Sequence, residues 1–132
     1  MELQIGLGDH PSWRSSRMMG LALKPILEAL TTVNLLFLHT HHVPLLYQSG
    51  VRYQNEPKEW PHECFDAIPK VIARGWGDCD DLAPWRCSEL RKAGERAKIR
   101  IQWKRMPSGK LYHIVVRRED GRIEDPSLIL GM

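Results

Sequence analysis

Three side chains that can cooperate in attack on a carbonyl stand in order along the chain: Cys79, His113 and Asp125. Cys79 lies in Gly75-Trp76-Gly77-Asp78-Cys79-Asp80-Asp81-Leu82-Ala83, where a glycine-flanked turn enters a helix with Asp78 as its N-cap. A helix N-terminus offers unpaired N–H groups and partial positive charge, which favour a thiolate and the oxyanion formed when it attacks. Asp78, Asp80 and Asp81 work the other way and raise the thiol pKa unless a protonated imidazole is close. His113 falls in a strand pattern, a rigid mount for an acid/base group. Asp125, just before Pro126, is the candidate for orienting that imidazole.

The sequence Gly-Asp-Cys-Asp-Asp opening a helix, a His in the following sheet and Asp-Pro after a further turn resembles the transglutaminase-like superfamily, relatives of the papain-like cysteine proteases. The likeness covers roughly residues 51 to 128 and includes Val51-Arg52-Tyr53, similar to the strand that precedes the Cys helix in small members. It implies a Cys79–His113–Asp125 triad, an acyl-thioester intermediate resolved by water or an amine, a peptide or protein substrate, and a small bacterial or phage-type member. The fold it implies is α+β, with the nucleophile helix packed on a small antiparallel sheet. An oxyanion donor is needed besides the Cys79 N–H, and Gln54, Tyr53 and the Trp76 indole all remain open for that role. No cofactor and no metal are expected.

Each of these residues has a plainer reading. Cys79 can be a small residue under a helix cap, His113 a satisfied core histidine and Asp125 a turn residue. It is their joint occurrence in this order that favours chemistry. Cys64 and Cys87 have no glycine turn or helix start beside them and are read as structural. His39, His41 and His42, even with His10 or His62, do not share a helix face with a carboxylate at ligand spacing, so no metal site is expected there. Trp60, Trp76 and Trp85 either line a groove or fill the core, with Trp76 the one placed near Cys79. The basic run Arg91, Lys92, Arg96, Lys98 and Arg100 reads as a solvated face. The rival to an enzyme is a non-catalytic binding or assembly module on the same fold, using that basic run and the tryptophans.

The elements that must hold these groups follow from periodicity. Residues 1–20 show no clear period and read as a loosely structured lead-in. Leu23, Ile26, Leu27, Leu30, Val33, Phe37 and Leu38 recur at helical spacing, with Pro25 suited to a first turn. Tyr47 to Glu56 is polar and extended in character, and Asp66 to Arg74 predicts a short helix stopped by Gly75. Cys79, Leu82, Ala83, Cys87, Leu90 and Ala93 share a helical face ending at Gly94, although Pro84 interrupts it. The period then becomes two: Ile99, Ile101 and Trp103 alternate with polar residues, and Pro107-Ser108-Gly109 marks a turn. Next come Leu111 to Arg118, apolar on both faces as in an inner strand, and Arg122 to Asp125, ended by Pro126. Helices followed by an antiparallel sheet make the class α+β in a single domain over 1–132.

Facing alternates along a strand, so His113 and Asp125 meet only if the intervening loop has the right parity. A two-residue loop at Asp120-Gly121 would set Val116 opposite Asp125 and turn the carboxylate away. A three-residue loop with Arg118 opposite Arg122, or Arg117 opposite Gly121, restores a common face, as does a five-residue loop or a bulge. An odd-length loop or bulge between Val116 and Ile123 is therefore predicted, despite the two-residue signal of Asp-Gly.

The bulk numbers bound the class. With 132 residues, 42% hydrophobic and 27% charged, the chain fits one ordinary globular core. A net charge of +3 is too small to name a partner, and no nucleic-acid partner is expected. Three cysteines without a CxxC pair suit a reducing compartment. The start of the chain lacks the pattern of a secretory signal, and Val33–Leu38 falls short of the roughly 20 residues of a membrane span. A cytoplasmic protein is expected.

Overall fold

A computed structural model of the chain describes residues 2–5, 16–60, 63–106 and 109–132. His10, His62 and the Pro107-Ser108 part of the predicted turn lie outside the described residues, as does 6–15 of the lead-in. The chain is mixed helix and strand. Strand β1 (Glu2–Ile5) is followed by α1 (Ser16–Thr40), a 3-10 turn at Leu46–Gln48, β2 (Arg52–Tyr53), β3 (Glu63–Asp66), α2 (Ile68–Arg74) and β4 (Trp76–Gly77). Helix α3 (Cys79–Lys92) leads into β5 (Lys98–Met106), β6 (Gly109–Arg117), β7 (Ile123–Glu124) and α4 (Pro126–Ile129). The class is α+β, as expected.

The sheet that carries the site has the order β5-β6-β7, all antiparallel. Strand β6 is central, and Ile114, Val115 and Val116 are fully buried, which accounts for its apolar character on both faces. The side chain of Leu111 lies outside the described set. Ile99, Ile114 and Val116 pack with Leu23, Leu27 and Leu30 of α1 and Ala83, Cys87 and Leu90 of α3. A second cluster joins Leu38 and Leu46 to Ile68, Val71, Leu82 and Trp85. Helices α1 and α3 thus pack on each other and on the sheet through one shared apolar cluster. Each fully buried aliphatic side chain stabilises this arrangement by about 1.5–3 kcal/mol.

Several expectations are corrected. The lead-in begins with β1, which pairs antiparallel with β3 from Glu2↔Asp66 to Ile5↔Glu63. Four residues are too few for a period of two to stand out. Helix α1 starts at Ser16, so Pro25 lies inside it rather than in its first turn. It is also more uniformly apolar than the run Val33–Leu38 suggests: Leu21–Thr40 has the length and composition of a membrane span, and Leu23, Leu27 and Leu30 within it are buried in the core. The interrupting Asn34 is itself buried and accepts the Ile68 N–H at 3.0 Å, capping the entry to α2. Asp66 belongs to β3 and not to α2, while Gly75 does end α2, at φ 83° with its N–H on Val71 O. Arg91 is not part of a solvated face; it grips Glu28 of α1 through both terminal nitrogens at 3.0 and 3.1 Å.

The loop after β6 has the predicted odd length. Val116 pairs with Glu124 and Arg117 with Ile123, and the Arg118 N–H meets Arg122 O at 2.8 Å, leaving Glu119-Asp120-Gly121 as a three-residue loop. Gly121 supplies the positive φ, 90°, that such a loop requires. Continuing the register sets Asp125 opposite Val115, on the face of His113.

Candidate active site

Helix α3 begins with a capping box. The Asp78 carboxylate accepts the Asp80 N–H at 3.1 Å, and the Asp81 carboxylate accepts the Asp78 N–H at 3.2 Å. The N–H groups of Asp81 and Leu82 bond Asp78 O. That leaves the Cys79 N–H, in the first turn, without a partner among the described residues. Gly77 is needed for the approach: a Cβ there would meet Asp81 Cβ at 3.1 Å, Leu82 Cδ2 at 3.2 Å and Val71 Cγ1 at 3.3 Å.

The Cys79 side chain is half-buried and packs on the cluster that includes Ile114 of β6, the residue after His113. The ladder between β6 and β7 stops at Val116, so the start of α3 meets β6 just beyond the end of β7. Burial first, then Asp80 and Asp78, push the thiol pKa well up, and the Ile114 N–H opposes them. Asp80 is the nearest acid, with Oδ1 3.9 Å from Sγ, and its Oδ2 accepts the Tyr112 hydroxyl at 3.2 Å.

His113 Nε2 lies 2.8 Å from Asp125 Oδ2. The other carboxylate oxygen, Oδ1, accepts the Leu128 N–H at 3.2 Å, so Asp125 caps α4 while it holds the imidazole. Nδ1 is left for other work. Glu124, next to Asp125, is tied to α3 by Arg86 and to the 3-10 turn by the Tyr47 hydroxyl at 2.6 Å. Burial raises the Glu124 pKa and these bonds lower it, with a net fall. The same ties fix the β7–α4 junction relative to the helix that carries Cys79.

The residues named for the oxyanion differ in availability. The Tyr53 hydroxyl donates to Asn55 at 2.6 Å, and its pKa is raised by burial and by Cys79, Asp78, Asp125 and Asp80, which places the ring among the site residues. Trp76 lies under the Arg74 guanidinium, 4.0 Å from the ring centre, and beside Trp60. Gln54 is exposed, its side chain has no partner among the described residues, and its N–H is anchored on Gly77 O at 2.9 Å.

Sequence reasoning missed what secures the start of α3. Arg74 bonds both Asp66 and Asp81, two fully buried carboxylates, and Asp81 also accepts the Asp66 N–H at 2.8 Å. Asp81 is thereby turned toward Arg74, and burial pushes its pKa up to about 6 against the pull of the Asp66 N–H and of Arg74. Nothing in the spacing of these residues marks such a contact. Glu56, Asp78 and Asp81 have oxygens within 4.8 Å of one another, but Asp81 is spent on Arg74 and two N–H groups, Asp78 caps α3, and Glu56 accepts the Cys64 N–H at 3.3 Å. His39, His41 and His42 are exposed, with His41 stacked on Phe37. Trp85 is core, its indole N–H on Glu89. Cys64 and Cys87 are buried, and burial pushes Cys87 up to about 12. No family model, curated protein or solved structure matches the chain.

Proposed function

We propose that the chain is a cysteine-dependent amide hydrolase or acyl transferase on a papain-like or transglutaminase-like core, with Cys79 as nucleophile, His113 as acid/base and Asp125 as the orienting carboxylate. The observation that carries this is the 2.8 Å His113–Asp125 contact on the strand whose next residue, Ile114, belongs to the cluster on which Cys79 packs. With Nε2 held by Asp125, Nδ1 is the nitrogen left to take the thiol proton. The raised thiol pKa means that Cys79 rests as the thiol, so its proton moves to His113 as sulfur attacks, not before. The carbonyl oxygen would take the Cys79 N–H and the Gln54 amide. His113 then gives its proton to the leaving amine as the C–N bond breaks, deprotonates a water, and the thioester is cleaved to acid and thiol. Water is favoured over an amine acceptor because no amine pocket is evident among the described residues. A peptide or protein substrate, a cytoplasmic setting suited to three cysteines without a disulfide and a bacterial or phage origin complete the reading.

The raised thiol pKa also favours a second reading, a non-catalytic binding or assembly module. One experiment separates them. A peptide-amide library is incubated with the protein and with Cys79→Ala, and products are read by mass spectrometry beside thermal melts. Turnover lost in a folded Cys79→Ala supports the enzyme; turnover retained, or absent from the wild type, removes it.

A further inference from the structure

The sheet face that carries His113 continues past the imidazole as a row of cations. The register sets Gln102 opposite His113, Arg100 opposite Val115 and Lys98 opposite Arg117, and opposed residues share a face. Lys98, Arg100, Gln102 and Arg117 are exposed. At about 3.4 Å per residue, Arg100 stands about 7 Å along the strand from the His113 position, and Lys98 and Arg117 about 14 Å. There the row meets a cavity of about 250 Å³ lined by Arg96, Lys98, Arg117, Arg118 and Glu119.

These charges are not consumed by the fold. Arg74, Arg86, Arg91 and Arg118 each hold carboxylates, whereas Lys98, Arg100 and Arg117 have no ion pair among the described residues. Arg96 reaches only Glu119, at 3.9 Å, with the side chains 89% and 55% exposed. Setting Lys98 directly opposite Arg117 is unfavourable for the sheet, since like charges across a pair repel. An anionic partner would relieve that repulsion.

We propose that this row is the substrate-binding surface of the candidate active site and takes an extended peptide segment rich in Asp or Glu beside the bond that Cys79 attacks. The proposal rests on the catalytic reading above. Cations at alternate strand positions match the roughly 7 Å repeat of same-side carboxylates on an extended peptide. Strand β5 is also at the edge of its sheet, where such a segment can add backbone hydrogen bonds. A peptide is favoured over a nucleic acid because the row leads to a nucleophile suited to carbonyls.

The test uses fluorescein-labelled hexaglutamate, followed by anisotropy at low salt. Wild type and Cys79→Ala should bind it alike, Lys98→Glu/Arg100→Glu should bind about tenfold more weakly or worse, and hexalysine should not bind. Both altered side chains are exposed, and thermal melts verify the fold. In the peptide-amide library, products of the wild type should be enriched in Asp and Glu near the cleaved bond, and the double variant should lose that enrichment. Equal affinity of variant and wild type for hexaglutamate, or tighter binding of a single-stranded oligonucleotide of equal charge, overturns the proposal. Binding that depends on Lys98 and Arg100 without turnover of any peptide amide leaves acidic-peptide recognition in place and overturns only the catalytic reading.

Discussion

On the proposed mechanism a thiol with a raised pKa works only if its proton is removed during attack, and that has consequences at single residues. Asp80 is the acid nearest Sγ and follows burial among the causes that hold the proton on Cys79. In Asp80→Asn the amide still accepts from Tyr112 while the charge is gone, so the thiol pKa falls. Iodoacetamide should modify Cys79 faster in this variant than in the wild type at neutral pH, and the two rates should converge only above the raised thiol pKa of the wild type. Equal rates at neutral pH would mean that Asp80 does not set the thiol's charge. The Gln54 side chain has no partner among the described residues, and its backbone N–H bonds Gly77 O, two residues before Cys79. Gln54→Ala should lower kcat by about 10²-fold, the usual loss of one oxyanion donor, with KM little changed. A loss confined to KM would assign Gln54 to binding instead.

At the scale of elements, the counting that brings Asp125 to His113 depends on the three residues Glu119-Asp120-Gly121. Deleting Ile123 keeps this three-residue loop but sets Glu124 opposite Arg117 and Asp125 opposite Val116. The register then shifts by one and Asp125 faces away from His113. Turnover should vanish while the circular dichroism of the sheet persists; retained turnover would exclude Asp125 as the orienting acid. How far the elements were legible depended on their length. The α1, α3 and β6 patterns repeat often enough to show a period, and Gly75 and Gly121 both take the positive φ that a helix stop and an odd loop demand. Strands β1 and β3 were illegible because each is four residues long and its partner lies far away in sequence. Of the site, the His113–Asp125 pair was legible by order and parity. The Arg74 clamp was not, since its contacts at separations of seven and eight residues follow no local period.

For the whole molecule, Arg74 joins β3, α2 and the start of α3 by holding two buried carboxylates. Arg74→Leu leaves Asp81 without its cation and Asp66 with only Lys70, at 3.5 Å, a loss of about 3–5 kcal/mol, read by urea unfolding at pH 7. The pH dependence has a definite sign. Asp81 is raised to about 6 in the folded chain, above the ~3.9 of an unfolded Asp. The folded state therefore holds more protons between these values, and the contribution of Asp81 to stability is present below about pH 4 and lost as pH rises through about 6. The deficit of Arg74→Leu should shrink at pH 5, where Asp81 takes up a proton; an equal deficit at both pH values would show that Asp81 stays charged.

The three site residues come from α3, β6 and the β7–α4 junction, in that order along the chain. A ribosome delivers them in the same order, at about 5–20 residues per second. From the moment Cys79 is made, the proposed base His113 is still about 2–7 s away and the proposed orienting acid Asp125 about 2–9 s away. On the proposed mechanism the nascent thiol has, in that interval, no partner to take its proton. Competence would thus be withheld until synthesis has passed Asp125, by which time the strands on which α3 packs have been made.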